Sequence, residues 1–188
     1  MKEQKQNLKE LGIDETWTLF LDRDGVINKR IEGDYVRKWS QFKFLPSTPE
    51  AIRRLSKVFG WIIVVTNQRG VSRNLIRDAD LLEIHKKMGD SIIRSGGRID
   101  RVYVCPHDLQ NQCNCRKPKP GLALEAKRDF PSVNFSKSIV IGDDDSDVVF
   151  AKALNMKSVL ILDDDRDEVE EMLADFIFRD LLEFSLSL

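Results

Sequence analysis

No apolar run in the 188 residues approaches the roughly 20 needed to cross a bilayer, so membrane-spanning roles drop out. The opening stretch MKEQKQNLKELGIDET is polar and lacks the apolar segment of a secretory leader, so a cytoplasmic location is expected. An excess of either charge is also missing: 30 basic against 31 acidic residues leave a net charge of −1. That balance offers no broad attraction to nucleic acid or to anionic membranes. No repeat and no low-complexity linker interrupts the chain. Cysteine and histidine are scarce, with three cysteines, all between residues 105 and 115, and two histidines. An odd cysteine count leaves one thiol over in any disulfide scheme, and in a reducing compartment a Cys/His cluster points to metal.

What is present fits one soluble globular domain: 41% hydrophobic and 32% charged residues. Residues 1–16 read as an N-terminal arm and 17–188 as a single domain, expected to be monomeric. Apolar runs rich in strand formers lie at 17–21, 61–66, 100–105, 138–143 and 158–162, with a shorter one at 175–178. Between them, helical periodicity covers 47–59, 77–96, 121–130, 146–156 and 166–174. Ser47 or Thr48 can cap the first of these helices. Alternating strands and helices predict an α/β fold, a parallel sheet with helices on both faces. Such sheets bind ligands at the carboxyl ends of their strands. Here those ends carry Asp22 and Asp24, then Thr66, Asn67 and Gln68, then Cys105 and His107, then Asp143 and Asp144. Four polar clusters far apart in sequence therefore converge on one rim.

Asp22 and Asp24 stand two apart, on one side of an extended chain, and Gly25 allows a tight turn. Together with Asp143, Asp144, Asp145 and Asp147 they make a hard-oxygen site suited to Mg²⁺. Either cluster alone could be only a helix cap; both at one rim argue otherwise. An EF-hand reading of 143–154 fails, with Val148 at the glycine position and Leu154 at the glutamate position. The acidic run 163–165 precedes a helical stretch and reads as a solvated cap. The turn TNQRG (66–70) and the Arg116–Lys117 pair before a helix start both favour anions. These parts describe phosphoryl transfer to a carboxylate.

The pattern Cys105-x-His107-x5-Cys113-x-Cys115 offers four ligands for tetrahedral Zn²⁺, with no open position, so that ion would be structural. A redox or cysteine-enzyme reading, with His107 as base, stays as the minor alternative. His85, in the charged stretch EIHKK, reads as a surface residue.

The ordered set Asp22-x-Asp24, Thr66, Lys117 and Gly142-Asp143-x3-Asp147 resembles the four motifs of the haloacid dehalogenase superfamily of phosphatases. FLDRDGVIN, VVTNQRGVSR and CRKPKPG sharpen the likeness to the D-glycero-D-manno-heptose 1,7-bisphosphate and histidinol-phosphate phosphatases, from about Leu19 to Leu162. The resemblance implies a three-layer, Rossmann-like domain in which Asp22 is the nucleophile and a Mg²⁺ ligand. Asp24 would be the acid/base and bind Mg²⁺ through its carbonyl. Asp143 would complete the metal site, and Asp147 would orient this shell. Thr66 and Lys117 would hold the phosphoryl group, and Asn67, Arg69, Arg73 and Arg116 would approach the substrate. Neither Asp22–Thr66 nor Thr66–Lys117 has room for a cap domain, so an open site is expected. The zinc loop, with five residues between His107 and Cys113, is nearer the histidinol-phosphate type; residues 24–46 are nearer the heptose type. The leading expectation is a Mg²⁺-dependent phosphatase of a small sugar phosphate, a heptose 1,7-bisphosphate cleaved at the 7-phosphate. The rivals are a histidinol-phosphate phosphatase, a polynucleotide 3′-phosphatase, for which the charge balance offers no basic groove, and a non-catalytic phosphate- or zinc-binding module.

Overall fold

The computed structural model describes residues 8–162 and 174–188. Six strands form one parallel sheet: β1 (Thr18–Leu21), β2 (Trp61–Asn67), β3 (Arg101–Cys105), β4 (Ser138–Gly142), β5 (Lys157–Ile161) and β6 (Phe176–Phe178). Their order is β3-β2-β1-β4-β5-β6, so the chain reverses direction across the sheet between β1 and β4. That reversal opens a crevice at the carboxyl edge, where ligands bind in such sheets. Leu21 pairs with both Val64 and Ile141, so the three central strands deliver their next residues to one level.

The pleat sorts the apolar runs into two cores. Leu19, Leu21, Ile62, Val64, Ile139 and Ile141 face one side and pack on α1 (Thr48–Leu55), α2 (Asp78–Arg94) and α5 (Leu181–Ser187). Phe20, Ile63, Val65 and Val140 face the other and pack on α3 (Gly121–Asp129) and α4 (Asp145–Lys152). Strands buried on both faces read as continuous apolar runs, which is why they stood out in the sequence. The result is the expected three layers. Between Asp22 and Thr66 the only α-helix is α1, and between Thr66 and Lys117 only α2 and β3 intervene, so no cap domain is inserted.

The structure departs from the sequence reading in several places; the helix expected over 146–156, for one, spans Asp145–Lys152. The first helix stops at Leu55 rather than 59, because Arg98 from the α2–β3 loop donates to the carbonyls of Ser56, Phe59 and Gly60 and turns the chain there. Ser47 occupies the N-cap, but at φ +62° its hydroxyl makes no capping bond; Pro49 in the first turn sets the start. Helix α5 was not foreseen, although Asp180 caps it by accepting from the Glu183 N–H, a D-x-x-E signature. The helix expected at 166–174 and the acidic run 163–165 lie outside the described residues. Among the described residues no helix is long and apolar enough to cross a membrane.

Candidate active site

The strand ends bring the expected residues together. Asp22 follows β1 directly, and its N–H is held by the Ile141 carbonyl of β4. Asp143 follows β4, and Asp147 sits in the first turn of α4. Oxygens of Asp22, Asp143 and Asp147 all lie within 4.8 Å of one another, and all three residues are buried. Lys117 projects between them, with Nζ 2.9 Å from Asp22 Oδ1 and 2.6 Å from Asp147 Oδ1. Burial works against the lysine charge, but the two carboxylates outweigh it and hold its pKa above the usual range. The Asp147 pKa is raised as well, here toward the neutral form: burial is the largest cause, repulsion from Asp22 adds to it, and Lys117 opposes both. Asp147 Oδ2 accepts no hydrogen bond, and Asp22 Oδ1 meets Lys117 only at ion-pair distance. Three packed carboxylates, two of them with an oxygen that accepts no hydrogen bond, gather more negative charge than Lys117 and Arg30 offset, and a hard divalent cation fits that donor set.

Two glycines make the packing possible. A Cβ on Gly25, whose φ is +92°, would lie 1.9 Å from Asp143 Oδ2; one on Gly142 would lie 2.2 Å from the Asp147 side chain. The acids of 143–147 divide their work. Asp144 is the helix cap, accepting from Ser146 N–H at 2.9 Å, while Asp143 and Asp147 enter the site and Asp145 stays exposed. Arg30 was not anticipated; its Nη2 donates to Asp143 Oδ1 at 2.8 Å.

Asp24 stands apart from the carboxylate cluster. It accepts from Arg23 Nη2 at both oxygens (2.9 and 2.7 Å), from Asn28 Nδ2 at 2.8 Å and from Gln68 Nε2 at 2.7 Å. Burial disfavours its charge, but Arg23 and these donors prevail and lower its pKa. Its backbone carbonyl accepts no hydrogen bond from the described residues, and so is free for a cation. Gln68 also donates to Thr66 Oγ1 at 2.9 Å, which locks the 66–68 turn against Asp24.

The expected substrate contacts are at the cleft, though not all are free. A cleft of about 840 Å³ is walled by Asp22, Asp24, Arg69, Arg73, Arg116 and Lys117, among others. Asn67 spends its amide on the Lys117 backbone, accepting from its N–H at 3.0 Å and donating to its carbonyl at 3.2 Å. Arg69 donates to the Tyr35 hydroxyl and Arg73 pairs with Asp108. Arg116 lines the cleft as well, and its Nη1 is buried and makes no hydrogen bond among the described residues.

The cysteine loop forms a second cluster directly behind Lys117. Cys105 Sγ lies 3.1 Å from Cys115 Sγ, 3.6 Å from Cys113 Sγ and 3.7 Å from His107 Nδ1, which is 3.2 Å from Cys115 Sγ. Sulfurs joined in a disulfide sit at about 2.05 Å, so these thiols are unpaired. Tetrahedral zinc with bonds of about 2.3 Å to sulfur would set its ligands about 3.8 Å apart, close to this spacing. Burial pushes the Cys105 thiol up, so three thiolates side by side need a cation to coexist. The cluster could therefore hold zinc through His107 Nδ1. The loop is tied to the rim: Gln68 and Ser72 N–H groups donate to the carbonyls of Cys105 and Pro106.

One expectation is corrected. His85 is not a surface residue: its Nε2 is 3.1 Å from Nη1 of the fully buried Arg23. The charged neighbours Glu83, Lys86 and Lys87 masked its place in the stripe Leu81, His85, Met88, Ile92, which follows the inner face of α2. Burial and the Arg23 charge lower its pKa to about 3, so it is a neutral acceptor.

Fold and site together define a hydrolase of the haloacid dehalogenase class. A HAD-hydrolase-like family model matches residues 114–184. The chain is 45% identical over 135 residues to the D-glycero-α-D-manno-heptose-1,7-bisphosphate 7-phosphatase of Mycobacterium bovis, covering 72% of this chain and 71% of that one. It is 38% identical to the D-glycero-β-D-manno-heptose-1,7-bisphosphate 7-phosphatase of Rhodopseudomonas palustris, covering 71% and 77%. Its structure matches that of D,D-heptose 1,7-bisphosphate phosphatase from B. bronchiseptica, complexed with magnesium and phosphate, at a TM-score of 0.80 and 28% identity over 90% of this chain and 96% of that chain. The chain belongs to this family of HAD-like phosphatases.

Gly25 gives the first expected result. Gly25→Ala forces Asp143 out of place and puts a side chain at a left-handed φ. It should lower kcat/KM about 10²-fold and cost about 1–2 kcal/mol of stability. Assay and chemical denaturation measure the two; an alanine variant with full activity would mean that Asp143 does not need its present position.

Proposed function

We propose that this phosphatase removes the 7-phosphate of D-glycero-α-D-manno-heptose 1,7-bisphosphate. The observation that carries the reading is the pairing of two anion sites on one cleft. One is Lys117 beside Asp22; the other is Arg116, which lines the same cleft. A bisphosphate has a phosphate for each of two such cations, where a monophosphate has one. The α anomer is preferred because the α-specific relative is more similar, at 45% against 38% identity.

The chemistry follows from the positions. An Asp22 oxygen attacks phosphorus and forms an aspartyl-phosphate, while the bond to the sugar O7 breaks. Asp24 gives its proton to that departing oxygen. The donors around Asp24 favour its carboxylate, and the incoming phosphate dianion pushes the other way, toward the protonated form the first step needs. In the second step Asp24, again a carboxylate, takes a proton from water as that water attacks the phosphorus and frees Asp22. Lys117 and the Thr66 hydroxyl hold the phosphoryl oxygens, and Asn67 fixes Lys117 through its backbone. Asp22, Asp143 and the Asp24 carbonyl would hold Mg²⁺, which would supply positive charge for the transferring group. In this reading Asp147 orients Lys117 rather than ligating the ion, and the cysteine loop carries structural zinc.

A substrate panel tests this. With Mg²⁺ present, kcat/KM should favour the α-heptose bisphosphate over the β anomer by about tenfold or more, and over histidinol phosphate by more still. A preference for histidinol phosphate would transfer the enzyme to the rival reading.

A further inference from the structure

The chain buries an arginine beside its acid/base, and that arginine leans on a histidine from another element. Arg23 is fully buried between Asp22 and Asp24 in sequence. Its Nη2 donates to both oxygens of Asp24 and lies 3.1 Å from Gln68 Oε1; its Nη1 meets His85 Nε2 at 3.1 Å. An arginine has donors only, so His85 Nε2 must be the acceptor and its proton must sit on Nδ1. Gln68 is fixed the same way: its oxygen faces Arg23, so its NH₂ faces Asp24 and Thr66. Arg23 Nε is buried without a partner, so the guanidinium is held through its two terminal nitrogens, and His85 is the described acceptor on the Nη1 side.

We propose that His85 is a positioning residue for proton transfer by Asp24, acting through Arg23. His85, on α2, holds one edge of the guanidinium. The other edge then holds the Asp24 carboxyl at the angle from which it reaches the sugar oxygen. Without that acceptor, Nη1 is left buried and unmet, Arg23 shifts to find a partner, and Asp24 loses its orienting contact on both oxygens. The His85 pKa, lowered to about 3 by burial and the Arg23 charge, agrees with a permanently neutral acceptor. The proposal rests on Asp24 being the general acid, and its test separates the two.

The test uses the Mg²⁺-loaded enzyme with p-nitrophenyl, phenyl and alkyl phosphates, whose leaving groups need a proton increasingly. Replacing Asp24 by Asn should lower turnover of every ester through the second step, but in kcat/KM, which reports the first step, the loss should be smallest with p-nitrophenyl phosphate and grow along the series. His85→Leu should show the same trend in kcat/KM, reaching about 30-fold with the alkyl ester, with KM nearly unchanged. His85→Gln, which keeps an acceptor, should recover to within about threefold of the parent. Nitrogen-edited NMR of the imidazoles should find the His85 proton on Nδ1 and Nε2 bare from about pH 6 to pH 8. An equal loss on every ester for His85→Leu, no loss at all, or an Nε2–H tautomer overturns the proposal while leaving Asp24 as the acid. A flat series for Asp24→Asn overturns the acid assignment itself, and the proposal with it.

Discussion

Asp22→Asn should fold normally and turn over substrate at about 10⁻⁴ of the parental rate or less. The amide is nearly isosteric with the carboxylate, but it cannot attack phosphorus, and it removes one of the two carboxylates proposed to hold the cation. The fold should survive because Lys117 keeps its shorter contact, 2.6 Å to Asp147, and the buried site is left with fewer repelling acids. Lys117→Met makes the informative contrast. It leaves Asp22 and Asp147 buried without their cation, so it should cost about 3 kcal/mol or more as well as activity. Steady-state assays and urea denaturation on the two variants separate chemistry from stability. If Asp22→Asn retained more than about 1% of activity, phosphoryl transfer would be going directly to water or to another group.

These residues were legible for a physical reason. A parallel sheet exposes its carboxyl ends at one rim, so polar residues that follow apolar strands meet there whatever lies between them. Asp22 and Asp143 directly follow such strands, Thr66 and Cys105 lie in the last two residues of two others, and all four are at the rim. Lys117 was readable because it sits at the end of the cysteine loop and before a helix start. Partners joined across long sequence separations by packing alone were not readable. Arg23 and His85 are 62 residues apart and Arg30 and Asp143 are 113 apart, and neither pair leaves a local pattern. Arg23 also inverts the usual expectation, since a lone arginine is mostly exposed unless paired, and its partners come from three different elements. Asn67 shows a subtler limit. Its place beside the cleft could be inferred, but its amide faces the Lys117 backbone, a contact that only the folded turn defines.

The cysteine cluster gives the second large effect. Purified protein should contain about one zinc per chain, and Cys113→Ser should lose it. The same change should cost on the order of several kcal/mol, since binding energy at a structural site is folding energy, here limited to one loop rather than the whole domain. Activity should fall too, for a reason visible in the chain path. Cys115 is followed at once by Arg116 and Lys117, both at the cleft, so a metal bound there would anchor the segment that carries both cations. The strand end Cys105 is buried and fixed by β3, whereas Cys113 and Cys115 belong to a loop whose shape rests on the cluster. Losing the ion should therefore raise KM for a bisphosphate more than for p-nitrophenyl phosphate, because the first needs Arg116 and the second does not. Elemental analysis, thermal melts with and without a chelator, and KM for the two substrates make the comparison. A protein that carries a Cys105–Cys115 disulfide, or that keeps its melting temperature after Cys113→Ser, would show that the loop holds its shape without zinc.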